Sequence, residues 1–513
     1  MCVALDAHAG GSPPSNAPNG NPPACESGGS ACKATRAADF VDSWGVVAHL
    51  NSQFDTPYSD TANGAATGQG ATSVGGYTTN VSAIARALNY TGIYHLRGGM
   101  GAGYDSNAYV SKRFANLSPK VPNLGGLYGI DTDGTNAVTT TQINNQIALI
   151  GGVVPISQVD GVEGPNEWAG FRKAYNGNHG TGAECQLYAD MRPVINSKLG
   201  SLGASTPVLA GSVGGQGDDA YAGAAFDIQA STTTFYNGNI CSTYNDAGNG
   251  HPYSDWNPPT AARITEFAKD RRASPSGAPV WSTEFGSSTN GSLNFRTMDE
   301  RTGAVLNLEQ LLTSRNIGYF RNYLYELVDE NNLNDSYESF LGQFHSDWSP
   351  KQGANALHNV SIILSDPACA YNTATNTPTS CAGTAATTFT TGSITYSLSN
   401  APAQTFSFLM QKSDGTYVLA VWAEPSMWTG GNGSPIVTGN TTVTVNLPPM
   451  SSISVTDPFG GSPTTPTTLP PGTTAAISIS DHPVFLTMVA SGATGGGGGG
   501  GGIGVCTFGG GAP

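Results

Sequence analysis

Charge is scarce in this chain. Only 11 % of its 513 residues are Asp, Glu, Lys or Arg, well under the usual quarter. The charge present is acidic, with a formal net of −15. No basic stripe exists to neutralise phosphates, so nucleic acid is excluded as a partner, and anionic polysaccharides fit poorly. Uninterrupted apolar runs of about 18 residues are missing too, so no membrane span is expected. The opening residues lack the basic region and apolar core of a signal peptide; a secreted protein with this start would be numbered from after processing. Zinc-type cysteine spacing is absent, as are a G-x-S-x-G elbow and an H-E-x-x-H pair, which argues against the common esterase and metallopeptidase designs.

Glycine (68) and proline (32) are plentiful. Together with many Ser, Thr and Asn they give a loop-rich, uncharged surface of the kind found outside the cell. The eight cysteines (Cys2, Cys25, Cys32, Cys185, Cys241, Cys369, Cys381 and Cys506) are even in number and scattered. They read either as disulfides in an oxidising compartment or, for several of them, as buried thiols. Cys25 with Cys32, Cys369 with Cys381 and Cys185 with Cys241 are the pairings considered, leaving Cys2 and Cys506. Secretion, a monomer and no cofactor or metal are the accompanying expectations. Sequons occur at Asn80, Asn116, Asn290 and Asn440, but a chain rich in Asn and Thr produces them by chance.

Residues 1–38 read as an extended Gly/Pro/Ser arm. From Phe40 short apolar runs alternate with helix-period segments. Strands are expected at 44–50, 93–97, 124–130, 159–162, 207–211, 240–253, 279–284 and 319–328, and helices near 79–88, 141–150, 183–199, 220–229, 260–271, 301–312 and 353–364. Eight such alternations over 39–364 fit a (β/α)8 TIM barrel better than a doubly wound sheet, so the class is α/β. Beyond Ser365 the period switches to two, giving an all-β sandwich over 365–491. Residues 492–513 form a Gly-rich tail.

The stretch from Val159 to Trp168 is the most telling. A buried strand must stop at Gly164-Pro165, because proline cannot donate to a ladder. Asn166 and Glu167 follow at once. Glu284 ends the seventh strand in the same way. In a barrel, strands four and seven face each other across the mouth. Two carboxyl groups placed so suit glycoside hydrolysis with retention, which needs one protonated and one ionised carboxyl about 5–5.5 Å apart.

Asn166-Glu167 with Glu284 resembles clan A of the glycoside hydrolases, and the family 39 members in particular, over roughly residues 40–364. The resemblance implies that Glu167 is the acid/base and Glu284 the nucleophile. It implies that Asn166 binds a sugar 2-hydroxyl and that Arg97, ending strand two, keeps Glu284 ionised. His251-Pro-Tyr253 is similar to the clan's His-x-Tyr element, with Tyr253 bonded to the nucleophile and His251 on the site wall or satisfied structurally. Trp168, Trp256, Tyr325 and Trp348 are candidate sugar-stacking rings or packing aromatics. Where the clan often has a tryptophan on strand eight, this chain has Tyr323 to Glu326. Glu326 and Asp329 read as substrate-binding or solvated acids. Asp131 to Gly134 lacks EF-hand spacing, and Asp329 to Asp335 is an oxygen-rich stretch that would suit calcium.

The function that follows is a secreted retaining glycosidase acting on a carbohydrate, at acidic pH. The competing readings are a carbohydrate-binding or cell-surface protein on a catalytically retired barrel, and a transglycosylase using the same residues. The sandwich is either a buttress for the barrel or a separate sugar-binding module.

Overall fold

The computed structural model describes residues 31–50, 74–99, 117–121, 124–132, 135–153, 159–168, 173–211, 248–250, 280–290, 297–330, 337–367, 369–372, 377–381, 389–403, 405–429, 433–460 and 462–492. For 74–81, 152, 153, 181, 248–250, 280, 317, 337, 369–372 and 377–381 it describes the backbone alone.

Eight strands run parallel: β1 (Trp44–Val47), β2 (His95–Gly99), β3 (Gly125–Gly129), β4 (Val159–Glu163), β5 (Val208–Leu209), β6 (Gly248–Gly250), β7 (Val280–Phe285) and β8 (Arg321–Leu324). Their order across the sheet is β5-β4-β3-β2-β1-β8-β7-β6. Each strand lies beside its sequence neighbour, and the first pairs with the last, Asn322 opposite Trp44. A doubly wound sheet would instead reverse direction at a switch point. This is barrel order; a pairing of β5 with β6, which would close it, is not among the described pairings. Apart from β6, for which only the backbone is described, the strands are buried on both faces, as parallel strands covered by crossover helices must be, and most of them appear in the sequence as short apolar runs. The Gly-rich third strand has a steric cause. A Cβ on Gly125 would lie 2.3 Å from Asp160 Oδ2 and 2.4 Å from His95 Nδ1, so only glycine lets the His95–Asp160 pair (2.7 Å) close beneath the sheet.

Helices α1 (Val74–Thr91), α2 (Thr140–Val153), α3 (Gly180–Lys198), α4 (Glu300–Ile317) and α5 (Gln352–Ile363) fill the connections. The limits of α4 are written locally. The Asp299 side chain accepts the Thr302 N–H at 2.7 Å, and Gly318 ends the helix at φ 103°, a left-handed angle that suits glycine. The helices expected near 220–229 and 260–271 lie outside the described residues.

The second sheet contains β9 (Ser397–Ser399), β10 (Thr405–Gln411), β11 (Tyr417–Ala423), β12 (Thr441–Thr456), β13 (Gly472–Ile479) and β14 (Val484–Ala490). β12 is a single strand that runs through a pair of prolines. Pro448-Pro449 falls where its register against β13 shifts, between Asn446 and Met450; the prolines withhold ladder donors there without ending the strand. The first part of β12 pairs with β13 and the second with β14. Side chains from all three share one apolar cluster with Leu419 and Val421.

The opposite face of this sheet carries Phe406, Phe408, Met410, Val418, Ala420, Trp422 and Phe485. All belong to the same core cluster as Phe40, Trp44, Leu308 and Leu312 of the parallel-sheet unit. Burying a large apolar side chain stabilises by roughly 1.5–3 kcal/mol each, which outweighs the polar links across the seam. Those links are the two-bond Arg301–Asp481 pair (2.7 and 2.8 Å) and the Asn359 amide donating to Pro458 O at 2.8 Å. Part of the N-terminal arm joins the second sheet: Thr35–Arg36 pairs in parallel with Met410 and Gln411 along its edge, and Cys32–Lys33 pairs with Ser393–Ile394.

Candidate active site

Arg97 stands at the middle of β2, and Glu163 and Glu284 at the carboxyl-terminal ends of β4 and β7. All three are buried, at 6, 0 and 7 % exposure. The Arg97 guanidinium joins them. Its Nε donates to Glu163 Oε2 at 2.6 Å and its Nη2 to Glu163 Oε1 at 3.1 Å. Its Nη1 donates to Glu284 Oε1 at 2.6 Å. Nη2 also donates to Asn166 Oδ1 at 2.7 Å, which fixes the orientation of that amide. Burial works against the charge on Arg97, but the Glu163 and Glu284 carboxylates outweigh it and hold its proton above the ordinary arginine range.

Glu167 stands where the chain leaves β4, just past Gly164-Pro165. Its φ is +50°, a left-handed conformation uncommon outside glycine that concentrates at functional sites. Lys173 is buried nearby; desolvation lowers its pKa while Asp131, Glu167 and Glu163 pull the other way. Tyr325, just past β8, is half-buried, and the Tyr325–Glu326 peptide is cis. Burial, then Glu326 and Glu284, push its hydroxyl well above the usual tyrosine range, so it stays a donor throughout the working pH range.

The sequence expectations divide here. Arg97, Asn166 and Glu284 are joined directly, and Tyr325 lies within the field of Glu284. His251, Tyr253 and Trp256 lie outside the described residues. Trp168 is 2 % exposed and packs in the main apolar cluster, so its ring is enclosed by neighbours rather than presented to a sugar. Trp348 packs against the same cluster. Glu326 is fully buried rather than solvated, and Asp329, 6 % exposed, is held by Lys351 Nζ at 2.5 Å. Asp329 is therefore part of a buried ion pair. Of the two stretches considered for calcium, residues 133–134 and 331–336 are outside the described residues.

Five residues at or near the site carry no motif and escaped sequence reasoning: Glu163, Lys173, His49, Glu330 and Glu338. His49 Nδ1 lies 2.5 Å from Glu330 Oε1 and 3.5 Å from Glu326 Oε2, and its ring meets Tyr325 edge-on at 5.4 Å. These three side chains are close enough to hold a cation, although 2.5 Å is the separation of a hydrogen-bonded ion pair. Glu338 feels both glutamates: burial first, then Glu330, Glu284 and Glu167, raise its pKa. A signal for Glu163 did exist. A carboxylate at the last, buried position of a strand requires a partner, and Arg97 is a buried cation on β2, the strand beyond β3.

Chemically, the site offers two carboxylates at the ends of β4 and β7, one of them bound to a fixed cation, together with an oriented amide. Neither family models nor curated proteins match this chain. Among solved structures it is similar to a family 39 glycoside hydrolase from the gut symbiont Bacteroides cellulosilyticus WH2, with 14 % identity over 87 % of this chain and 81 % of that one and a TM-score of 0.49. It is also similar to an endo-β1,6-glucanase (11 % identity, 88 % and 91 % covered, TM-score 0.44) and to a glucosidase from Croceicoccus marinus (9 % identity, 79 % and 91 % covered, TM-score 0.48). At this level of similarity the chemistry has to rest on the residues themselves.

Proposed function

We propose that the chain is a retaining glycosidase that cleaves an O-glycosidic bond by double displacement. The observation that carries this reading is the Arg97 bridge to Glu284 and Asn166, with Glu167 in a left-handed turn beside them. Glu284, kept ionised by the Arg97 charge, attacks the anomeric carbon. Glu167 gives its proton to the departing oxygen as the C–O bond breaks. In the second half Glu167 takes a proton from water, whose oxygen attacks the anomeric carbon and releases Glu284. Asn166 Oδ1 accepts from Arg97, and in this reading its amide nitrogen is the atom that donates to a sugar hydroxyl. Tyr325 supplies a further donor near the nucleophile. His251 and Tyr253 belong to the proposed site on the strength of the sequence resemblance alone.

The same reading includes a closed barrel buttressed by the second sheet, no required metal, a monomer and a secreted, oxidised protein. Cys32 and Cys185, each in a disulfide of its own, and Cys369 standing directly opposite Cys381 in an antiparallel pair, support the oxidised state.

The test is a panel of aryl glycosides and polysaccharides, scored for reducing ends and for the anomer first released. Glu284→Ala is expected to abolish turnover, with partial recovery in azide. Glu167→Ala is expected to spare substrates with activated leaving groups more than natural ones. Wild-type activity in Glu284→Ala, or release of the inverted anomer by the wild type, overturns the reading.

A further inference from the structure

Glu163 is fully buried and does not reach a substrate, yet it makes the largest share of the bonds that hold Arg97. It takes Nε and one N–H of Nη2 along one edge of the guanidinium, at 2.6 and 3.1 Å. Thr283 Oγ1, next to Glu284 on β7, donates to the same carboxylate at 2.9 Å. A guanidinium is a rigid planar fork. Pinned along one edge, it has a single place for its remaining N–H groups, and these reach Glu284 and Asn166.

Charge gives a second reason. One arginine and two buried glutamates carry a net single negative charge. Without Glu163 the full Arg97 charge would fall on Glu284, which would be well ionised but a poor nucleophile. With Glu163 the cation is shared, and Glu284 keeps electron density to attack with.

We infer that Glu163 is a positioning residue of the reaction, one that aims Arg97 at Glu284 and Asn166 and takes up part of its charge. This rests on the glycosidase reading. Among the described residues, Lys173, Tyr188, Tyr323, Tyr325 and Glu338 also lie within the fields of Glu163 or Glu284, and substitution at 163 leaves them all in place.

The experiment compares Glu163→Gln with Glu163→Asp. Glutamine keeps the shape but not the charge: with Oε1 toward Arg97 Nε, its amide turns to Thr283 Oγ1. Aspartate keeps the charge on a shorter arm. For Glu163→Gln the expected result is a loss in kcat/KM of about tenfold to a hundredfold, the scale of a small misplacement. The acid limb of the pH profile is expected to move down by about one unit, because an unshared arginine favours the ionised Glu284. For Glu163→Asp the limb stays at the wild-type pH while kcat falls. An unmoved acid limb in Glu163→Gln overturns the inference. So do matching profiles for the two variants, which would mean that Glu163 only fills space.

A second measurement does not depend on turnover. Glu163→Gln and Glu284→Gln each leave Arg97 one carboxylate, whereas the double variant leaves it neither. Melting of the double variant well below the sum of the single effects supports the sharing, and additive melting overturns it. A wild type silent on every glycoside with non-additive melting would sink the glycosidase reading and leave the shared cation standing.

Discussion

Replacing Arg97 by methionine tests the site as a physical object before any substrate is known. Methionine fills much of the volume but leaves Glu163 and Glu284, 0 and 7 % exposed, without the cation that both contact at 2.6 Å. Breaking a buried ion pair by removing one partner costs about 3–5 kcal/mol. For a unit of this size that corresponds to a fall in Tm of roughly 5 °C. The loss has a definite pH dependence. In the variant, burial and like charge disfavour ionising both carboxyls at once, so the penalty shrinks at mildly acidic pH, where the pair can hold one proton, and grows as pH rises and that proton leaves. Thermal melting followed by circular dichroism at pH 5 and pH 8 reads this directly. The gap between wild type and Arg97→Met should be small at pH 5 and large at pH 8. A variant melting within about 2 °C of wild type at both pH values would refute the bridging role of Arg97.

Three further predictions follow from the surroundings of the site. His482 lies between Asp457 (3.1 Å) and Asp481 (2.8 Å); burial opposes its charge, but the two aspartates push its pKa up to about 9. Its contribution, at most about 3 kcal/mol, is complete below pH 6.5 and fades as pH rises through 9, so His482→Gln should flatten the alkaline fall in Tm. The Tyr188 hydroxyl donates to Glu184 at 2.7 Å and accepts from Gly211 N–H, while burial holds the Glu184 carboxyl up at about 7. Tyr188→Phe strands both partners and should cost about 1–3 kcal/mol in denaturant titration; an unchanged midpoint would show the network to be idle. Deleting 365–513 strips the cover from an apolar face and should give an insoluble protein, whereas a soluble and fully active product would make the second sheet a dispensable module.

Much of this architecture can be read from the chain itself, and for definite reasons. Parallel strands buried on both faces must be short apolar runs, so all eight positions could be located, and Gly164-Pro165 marks the end of β4. Glu167 and Glu284 stand out because each follows such a run. The link between Glu163 and Arg97 is harder to see because it depends on register. Arg97 is level with Leu127, and Leu127 with Gly161, and no local pattern sets that alignment. Trp168 is ambiguous in sequence because a tryptophan after a strand can face either the core or the mouth, and only packing decides. β12 is disguised by two prolines that suggest a break where the ladder merely shifts. Thr35–Arg36 is too short to show any period.

That last pairing bears on how the molecule is made. Thr35 leaves the ribosome before any strand of the parallel sheet, but its partner Met410 follows only after all of them, and at cellular synthesis rates of about 5–20 residues per second the delay is on the order of tens of seconds. Until then the apolar seam around Leu308 and Leu312 has no cover, and the arm has nothing to bind. The nascent chain therefore passes through an interval in which it is sticky and incomplete. In order of synthesis this short strand precedes all eight strands of the parallel sheet, yet it can pair only after them.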